Sequence, residues 1–457
     1  MAVLLMVMVR NVPAPHNHAP RWYLMLSVLG ETGVNPRGCM PPHSPEDPAR
    51  TEEIMRPDEG KGGMDPPVHP EGSARPRLAV VTHAFYPSVG GAERYHLITA
   101  DRLSRVAQVC VFTAVGNQRH SPALPGDRPP GFPVVYLPSR RVVGEHWIDG
   151  SALRSALERF QPDLLWTNQP SPSADTAARW ALGKGVPWIT TYHADPTSRN
   201  PAVWVYSAWE VRLLRRAHRI LVTSEHYREK LVQRGVPAGR IEVDPPGPTL
   251  GGDGISSRVL PTSPRDAPGK SQPFLFVGAL DGAHAYKRLD LLLGALDRLL
   301  REGKEIHLWV VGEGPRRPHW EAWTRSRGLS SHVEFLGRLP DRDLAERYAR
   351  AWATVLPAIS DREGFGLAAL DSVQFRCPVV ASDAVAAGRE LARLGCGLTF
   401  PAKDPRGLPT ALGRLWQDPS LRSRLAERCG EVSSQFSWER TIQPVLRELF
   451  PGKPDDP

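Results

Sequence analysis

Cysteine is scarce in this chain, and the few cysteines are scattered. The sequence has five, at Cys39, Cys110, Cys377, Cys396 and Cys429, and no two of them form a Cys-x-x-Cys pair. An odd number of dispersed thiols fits a reducing compartment and argues against a disulfide framework. The same spacing argues against a metal cluster, so we expect no metal site.

Long apolar runs are lacking as well. The apolar stretches at 1–9 and 22–29 are both shorter than the roughly 20 residues that cross a bilayer. No charged start or small-residue cleavage site accompanies the first stretch in the way a signal peptide requires. We therefore expect a cytoplasmic protein with no membrane span.

The sequence also lacks a dense basic run with interleaved aromatic residues, although its net charge is +8. The excess of 57 basic over 49 acidic residues is modest and spread out, which predicts no nucleic-acid binding. It could favour phosphates or an anionic membrane surface, and a solvated surface is the simpler interpretation. The apolar fraction of 41% is enough for folded cores, and the length suggests two or three domains.

Residues 1–75 are rich in proline, glycine, histidine and charge, and they show little periodicity. This composition predicts a disordered N-terminal segment. The alternative is that Met55 or Met64 is the real first residue, and the sequence supports both interpretations.

From residue 77 onward, buried-strand patterns alternate with helical ones. Apolar runs lie at 78–82, 109–112, 164–166, 188–191 and 220–223, and a helical pattern covers 92–103. After a Pro/Gly/Ser-rich break at 246–272, further runs lie at 274–277, 307–311, 333–336, 354–356 and 379–381. Strands alternating with helices indicate parallel α/β sheets. Two such sets predict two Rossmann-like domains facing across a cleft, with ligands at the carboxyl ends of the strands.

The composition shifts give predicted domain boundaries. We expect an N-terminal Rossmann-like domain over 76–247, a linker over 248–271 and a C-terminal Rossmann-like domain over 272–430. The last part, 431–457, would hold one more helix and a tail. Ser437, in Phe436-Ser437-Trp438, is the predicted N-cap of that helix.

The most informative segment is 361–371, with the sequence DREGFGLAALD. It predicts a loop that carries Glu363, then a glycine-flanked turn, then a helix that carries a second acid, Asp371. A carboxylate can accept hydrogen bonds from paired hydroxyls, and a glycine turn that opens a helix presents free N–H groups to phosphate. Together these groups suit a phosphorylated, polyhydroxylated ligand.

This segment resembles the E-x7-E region of retaining GT-B glycosyltransferases of family 4, the group 1 enzymes that include glycogen-synthase-like and mannosyltransferase-like proteins. The resemblance covers about residues 77–450. It implies the GT-B fold, with a C-terminal helix that crosses back to the N-terminal domain. It also implies hexosyl transfer from a nucleotide-diphosphate sugar, held by the C-terminal domain, to a lipid-linked or saccharide acceptor, held by the N-terminal domain. No metal and no cofactor would be needed.

By this resemblance Glu363 binds the donor sugar's hydroxyls. Gly364 and the N–H groups of Phe365, Gly366 and Leu367 would lie close to the donor diphosphate. The alternative for Glu363 is a surface carboxylate favoured near a helix N-terminus by the helix dipole.

Asp371 would bind the nucleotide ribose, where the family usually has Glu. Its side chain is shorter by one C–C bond, about 1.5 Å. The ribose contact would then need a helix shift or a bridging water, or it would be lost. An ordinary helix-surface aspartate is an equal alternative.

Lys287 and Arg288 follow a predicted strand and open a helix, which suits a diphosphate. The family has a lysine here, and usually an arginine just after the strand's glycine, where this chain has Ala279. Arg288 or His284 could replace that arginine.

Three other places match the family. Gly91, in a Gly-Gly turn, would face the donor phosphate or the acceptor, and His193, after a strand end, would contact the donor sugar. Gly337 and Arg338 would lie near the base. The alternatives are a plain turn for Gly91 and a core histidine with satisfied hydrogen bonds for His193.

Two motifs are rejected. Gly312-Glu313-Gly314 has Arg317 where a dinucleotide fingerprint needs its third glycine. The D-x-D triplet 341–343 follows Pro340 at a helix start, so helix capping explains it better than a metal site.

Aromatic residues and arginines alternate over 203–219, with Arg212, Arg215, Arg216 and Arg219 on a predicted helix. One hypothesis is contact with a lipid-linked acceptor, at a location peripheral to the inner membrane face. A packed amphipathic helix is the favoured interpretation.

A non-catalytic, glycosyltransferase-like nucleotide-sugar binding protein is the alternative function, since Ala279 and Asp371 depart from the family's pattern. A nucleotide-sugar epimerase on the same fold would need an acid–base pair, for which the sequence offers no candidate.

Overall fold

The computed structural model describes residues 75–87, 90–115, 130–142, 145–168, 171–193, 201–250, 272–282, 284–360 and 363–451. The predicted disordered segment, except its last residue, lies outside these ranges. So does the predicted linker from residue 251 onward. The described residues form two α/β domains around two parallel sheets, as the alternating pattern predicts.

The first sheet is built from strands buried on both faces at its centre. Its strands are β1 (Arg77–Val81), β2 (Gln108–Ala114), β3 (Val134–Leu137), β6 (Leu164–Asn168), β7 (Trp188–Tyr192), β8 (Arg219–Val222) and β9 (Ile241–Val243). They pair in parallel in the order β3-β2-β1-β6-β7-β8-β9. A separate antiparallel pair consists of β4 (Ser139–Val142) and β5 (Glu145–Ile148).

Five helices accompany this sheet: α1 (Gly91–Ser104), α2 (Gly150–Phe160), α3 (Pro172–Lys184), α4 (Pro201–Leu214) and α5 (Glu225–Gln233). Side chains set two of their starts. The Asp149 carboxylate accepts the N–H groups of Ser151 and Ala152 before α2, and the Ser171 hydroxyl accepts that of Ala174 in α3. These are the preferred N-cap residue types.

The second sheet has the same design. It consists of β10 (Phe274–Val277), β11 (Leu308–Val311), β12 (Val333–Gly337), β13 (Thr354–Leu356), β14 (Val379–Ser382) and β15 (Gly397–Phe400), in the order β12-β11-β10-β13-β14-β15. Its helices are α6 (Leu289–Arg301), α7 (Arg317–Ser326), α8 (Asp341–Arg350), α9 (Leu367–Gln374), α10 (Ala386–Arg393), α11 (Gly407–Gln417) and α12 (Pro419–Val432). On α6, buried Leu289, Leu292, Leu293, Leu296 and Leu299 recur at helical spacing and face the core.

The strand order of each sheet reverses next to its first strand. In the first sheet β1 lies between β2 and β6, and in the second β10 lies between β11 and β13. Ligands of open α/β sheets bind outside the carboxyl ends of the strands at this switch point. The loops after β7, β10 and β13 carry His193, Lys287 and Glu363, so the predicted site residues lie at these edges.

The C-terminal segment returns to the first domain, as predicted. Ser437 caps α13 (Trp438–Thr441) by accepting the N–H of Arg440, and α14 (Gln443–Leu449) follows. Trp438 packs in the same core cluster as Leu78 and Val80 of β1, and its Nε1 donates to the Pro248 carbonyl at 2.6 Å.

Of the four arginines predicted on the aromatic and arginine-rich helix, only Arg212 lies on it, which corrects the prediction for Arg215, Arg216 and Arg219. The helix α4 ends at Leu214, and Arg219 begins β8. Its side chain pairs with Glu448 of α14 at 2.8 Å and with Glu242 at 3.1 Å. This arginine therefore anchors the returning C-terminal helix.

The sequence pattern missed β3, β4, β5, β9 and β15. Where their burial is described, β3, β9 and β15 contain both buried and partly exposed residues, and all three are edge strands. An edge strand lacks the continuous apolar run that marks a central one. In the ranges that the structure describes, no helix combines the length and the hydropathy of a membrane span.

Removing the indole of Trp438 should detach the returning segment. We expect Trp438→Ala to lower the free energy of unfolding by about 3–5 kcal/mol, because a large buried side chain leaves a cavity. Trp438→Phe should cost less, since it keeps a ring in the core. Urea unfolding followed by circular dichroism measures both. The exposed neighbour Arg440→Ala is the control, and equal stability of Trp438→Ala and Arg440→Ala would contradict this account.

Candidate functional site

Lys287 and Glu363 form a buried ion pair at the carboxyl edge of the second sheet. Lys287 ends a 3-10 turn, Ala285–Lys287, and Glu363 follows β13. The Lys287 Nζ lies 2.5 Å from Glu363 Oε1, and the two side chains are 18% and 6% exposed. Burial lowers the pKa of Lys287, but the neighbouring Glu363 and Tyr286 outweigh this, so its net pKa is raised. The ammonium group therefore remains charged at neutral pH.

The second carboxylate oxygen of Glu363 has an unusual environment. Oε2 is buried and has no hydrogen-bond partner among the described residues. An unsatisfied buried acceptor costs about 1–3 kcal/mol, and in a native structure it marks a place where a partner is expected. This oxygen is the natural acceptor for a ligand hydroxyl at the site.

The glycine turn after Glu363 fits only because two of its residues lack a side chain. Gly364 and Gly366 have φ values of 61° and 87°, in the left-handed region. A Cβ on Gly364 would lie 3.1 Å from the carbonyl oxygen of His193. The helix α9 then starts at Leu367, two residues after Phe365. The first backbone N–H groups of a helix have no acceptor within that helix. The predicted diphosphate contacts of this turn stay a prediction.

His193 brings the first domain to this turn. Its ring packs edge-to-face on Tyr95, with centroids 4.8 Å apart, and on His96 at 5.7 Å. Burial lowers the pKa of His193 to about 4, so the imidazole is neutral at pH 7. A neutral imidazole offers one donor and one acceptor nitrogen, which suits contact with hydroxyl groups.

Gly91 and Arg94, on the first turn of α1, also meet the second domain. A Cβ on Gly91 would lie 3.7 Å from Leu367 Cδ1. The Arg94 guanidinium donates to Asp341 Oδ2 at 2.6 Å. Together with the contact of His193 with Gly364, these contacts join the two domains along one edge.

The prediction that the D-x-D triplet 341–343 caps a helix is wrong. Pro340 is the N-cap residue of α8, without a side-chain hydrogen bond, and Asp341 and Asp343 lie in the first turn. Asp341 instead accepts from Arg94. Within the described ranges, no group of three or more His, Cys, Asp or Glu side chains is arranged to hold a metal ion.

Arg288 and His284 both have a carboxylate partner close to them in sequence. The Arg288 guanidinium contacts the carboxylate of Asp290 at 2.8 to 3.0 Å. The His284 Nδ1 lies 2.9 Å from Asp281 Oδ1. Both residues line one pocket of about 310 Å³ with Ala279. That either one replaces the arginine expected at Ala279 stays a prediction.

Gly337 and Arg338 lie at the carboxyl end of β12, two strands away from β10 in the same sheet. Gly337 has φ 69°, and its carbonyl accepts the Gly312 N–H at 2.8 Å. Arg338 is half-buried. These two residues share the sheet edge with Lys287, and their predicted base contact stays a prediction.

Asp371 is tied to the start of the linker. It is 4% exposed, and its Oδ2 accepts from the Thr249 hydroxyl at 2.7 Å. Its Oδ1 accepts from the backbone N–H groups of Thr249 and Leu250. Burial raises the pKa of Asp371 to about 6, although the Thr249 hydroxyl and Arg94 oppose the rise. A ribose contact stays a prediction, and it would have to share oxygens that already bind the linker.

Several of these contacts had no signal in the sequence. The pairing of Arg94 with Asp341 joins residues 247 positions apart, and that of Thr249 with Asp371 joins residues 122 apart. No local spacing indicates such partners. His96 could have been noticed, since it lies on the helix after the Gly-Gly turn.

The raised pKa of Asp371 predicts a pH effect on stability. Since the folded-state pKa is about 6 against 3.8 for a free carboxyl, the folded protein binds the extra proton between these values. The contribution of Asp371 to stability therefore falls as the pH rises through this window. The variant Asp371→Asn has a side chain of the same shape that does not titrate. Between about pH 4 and pH 7, the free energy of unfolding of the wild type should fall by about 2–3 kcal/mol relative to that of this variant. Urea titrations at each pH measure it, and a pH-independent difference would refute it.

Two family models match the chain. The model described as "Glycosyl transferases group 1" matches residues 264–431, and "Glycosyltransferase Family 4" matches residues 89–249. The group 1 model covers most of the C-terminal domain, and the family 4 model covers most of the N-terminal domain.

Known relatives agree with these models. A D-inositol 3-phosphate glycosyltransferase from Frankia alni is 30% identical over 294 residues, which are 59% of this chain and 69% of that protein. A phosphatidyl-myo-inositol mannosyltransferase from Mycobacterium leprae is 27% identical over 292 residues, 62% of this chain and 72% of that protein. An exopolysaccharide phosphotransferase from Streptomyces coelicolor is 31% identical over 175 residues, but the chain spans only 18% of its length.

A solved structure shows the same fold. The sucrose-phosphate synthase from Thermosynechococcus elongatus superimposes with a TM-score of 0.63 at 20% identity, covering 83% of this chain and 100% of that chain. The two parallel sheets, the returning C-terminal helices and these matches lead to one assignment. The chain belongs to the family 4 glycosyltransferases of the group 1 type and has the GT-B fold.

Proposed function

We propose that this chain is a retaining glycosyltransferase that moves a hexosyl group from a nucleotide-diphosphate sugar to a lipid-linked or saccharide acceptor, without a metal ion. The observation that carries the proposal is the buried pair of Lys287 and Glu363, in which Glu363 Oε2 has no hydrogen-bond partner among the residues that the structure describes. Two of the relatives are a D-inositol 3-phosphate glycosyltransferase and a phosphatidyl-myo-inositol mannosyltransferase, which supports a polyol-bearing acceptor.

Lys287 stabilises the leaving diphosphate. Its ammonium has three N–H donors, and Glu363 Oε1 takes one of them. The other donors, with the N–H groups at the start of α9, face the negative charge that builds up on the diphosphate as the glycosidic bond breaks. Donors that are already in place in a buried site stabilise such charge more strongly than water does.

Glu363 and His193 position the sugar. Glu363 Oε2 accepts a hydrogen bond from a sugar hydroxyl, and this supplies the partner that the buried oxygen lacks. The neutral imidazole of His193 contacts the sugar from the first domain. Positioning of this kind lowers the entropic part of the barrier. The acceptor attacks on the face from which the diphosphate leaves, and a diphosphate oxygen takes its proton.

Close approaches between the two domains would limit the access of water to the reacting groups. Arg94 with Asp341, Gly91 with Leu367, and the His193 carbonyl with Gly364 all lie at the same edge. A site closed in this way limits hydrolysis of the donor.

Variants of the ion pair test this function while separating chemistry from stability. Lys287→Met or Glu363→Leu alone leaves an unpaired buried charge, which costs about 3–5 kcal/mol. The double variant Lys287→Met/Glu363→Leu removes both charges and should regain most of this stability. All three variants should lose at least about 100-fold in turnover. Lys287→Met removes the donor to the diphosphate, Glu363→Leu removes the acceptor for the sugar hydroxyl, and the double variant removes both.

The assay is release of nucleoside diphosphate from a panel of nucleotide sugars with mixed lipid and sugar acceptors. The exposed variants Lys403→Met and Glu427→Leu are matched controls and should keep full activity. Product anomers determined by NMR report retention, and activity in EDTA reports metal independence. Tight nucleotide-sugar binding without turnover on any acceptor would refute the enzyme, and a double variant with normal turnover would refute the assigned roles.

Peripheral membrane contact is a separate part of the proposal. Arg212, Arg215 and Arg216 are exposed at the end of α4. Flotation with anionic liposomes should recover the wild type and lose the triple Arg→Glu variant, since the interaction depends on positive charge. Equal recovery of both proteins, or of neither, would remove the membrane from the proposal.

A further inference from the structure

The pocket beside Lys287 also contains Arg316, a residue that no sequence motif indicates as a site residue. Its wall includes Ala279, Lys287, Arg288 and Arg316, and its volume is about 310 Å³. It opens at the carboxyl end of β10, at the switch point of the second sheet. Arg316 comes from a different loop, the one that follows β11.

Backbone contacts between the two loops hold Arg316 in this place. The Leu280 N–H donates to the Glu313 carbonyl at 2.9 Å, and the Arg316 N–H donates to the Leu280 carbonyl at 2.8 Å. A Cβ on Gly314 would lie 2.4 Å from the Leu280 carbonyl oxygen, so only glycine allows this close approach. The Gly312-Glu313-Gly314 motif therefore packs one loop against the other and delivers Arg316 to the pocket.

The other charged groups of the pocket are already matched. His284 pairs with Asp281, Arg288 with Asp290, and Lys287 with Glu363. Arg316 differs from them. No carboxylate oxygen of a described residue lies within 4 Å of its guanidinium, and the group stacks on the Trp320 ring at 5.1 Å. Stacking fixes a guanidinium plane and leaves its N–H donors available.

Ala279 leaves room in front of this guanidinium. The alanine side chain is a single methyl group, and it lines the same pocket as Arg316 and Lys287. An anionic group that reaches the pocket would meet two cations that already have a carboxylate partner, Lys287 and Arg288, and one without such a partner among the described residues, Arg316. Arginine forms bidentate hydrogen bonds to phosphate oxygens, so this pair suits a diphosphate better than a single charge.

We propose that Arg316 is a further donor-binding residue, which supplies the second cationic contact to the diphosphate of the nucleotide donor. It takes the place for which the sequence suggested Arg288 or His284. The inference rests on the proposed function, because that function provides the diphosphate.

Calorimetric binding of UDP, GDP and ADP, each compared with its nucleoside, tests this contact directly. Arg316→Met keeps a long side chain on Trp320 and removes the charge. Arg325→Met is the matched control, because Arg325 is an exposed arginine on α7, the helix that follows the loop of Arg316. For the diphosphate that binds the wild type, we expect Arg316→Met to weaken affinity at least 10-fold, while affinity for the nucleoside and that of Arg325→Met stay unchanged.

Two further variants separate charge from fold. Arg316→Lys should retain part of the affinity, and Ala279→Arg in the Arg316→Met background should restore most of it, because a guanidinium re-enters the pocket. Unchanged diphosphate affinity in Arg316→Met, or equal losses for diphosphate and nucleoside, would overturn the inference and leave the proposed function standing. A wild type that binds none of the three diphosphates would overturn both.

Discussion

The ion pair between Lys287 and Glu363 is the interaction on which the site depends. Each charge is withdrawn from water, and each is tolerable only because the other lies 2.5 Å away. The pair also links the loop after β10 to the loop after β13, the two strands that flank the switch point of the second sheet. Its cost is only partly offset, since Oε2 of Glu363 has no hydrogen-bond partner in the part of the chain that the structure describes. A ligand hydroxyl that donates to this oxygen would supply the missing hydrogen bond, and this is the basis on which we propose that the site binds a polyhydroxylated ligand.

Both domains contribute residues to the candidate site along one edge. The second domain contributes the ion pair and the start of α9, and the first contributes His193 and the first turn of α1. The start of the linker is bound to both domains. Asp371 of the second domain accepts hydrogen bonds from Thr249 and Leu250, and Trp438 donates to the Pro248 carbonyl within the core of the first domain. Both oxygens of Asp371 bind Thr249 or Leu250, so a ribose contact, which stays a prediction, would have to share them. A few buried polar contacts therefore connect residues 248–250 to both domains.

The sequence predicted the central strands, the two-domain architecture and the returning helix well, because double burial imposes continuous apolar runs and a cap residue marks a helix start. It also predicted Lys287, Glu363, Gly91 and His193 as site residues, and the structure brings these to one edge. It could not predict β3, β9 and β15, three edge strands of the parallel sheets whose partly exposed residues leave a weak pattern, although it did predict the fourth edge strand of these sheets, β12. Nor could it predict partners far apart in the chain, such as Arg94 with Asp341, or which cation is uncommitted. Arg288 and Arg316 look alike in sequence, and only the position of Asp290 and the contact between two loops distinguish them.

The central claim is that Lys287 and Glu363 receive the donor directly. A crystal structure of the full chain with a nucleotide sugar, or with the nucleoside diphosphate and free sugar, tests this most directly. The account predicts a diphosphate oxygen at hydrogen-bond distance, about 3 Å, from Lys287 Nζ, and a sugar hydroxyl at a similar distance from Glu363 Oε2. A donor bound with its diphosphate away from Lys287, and with Glu363 Oε2 still without a ligand hydroxyl, would contradict it.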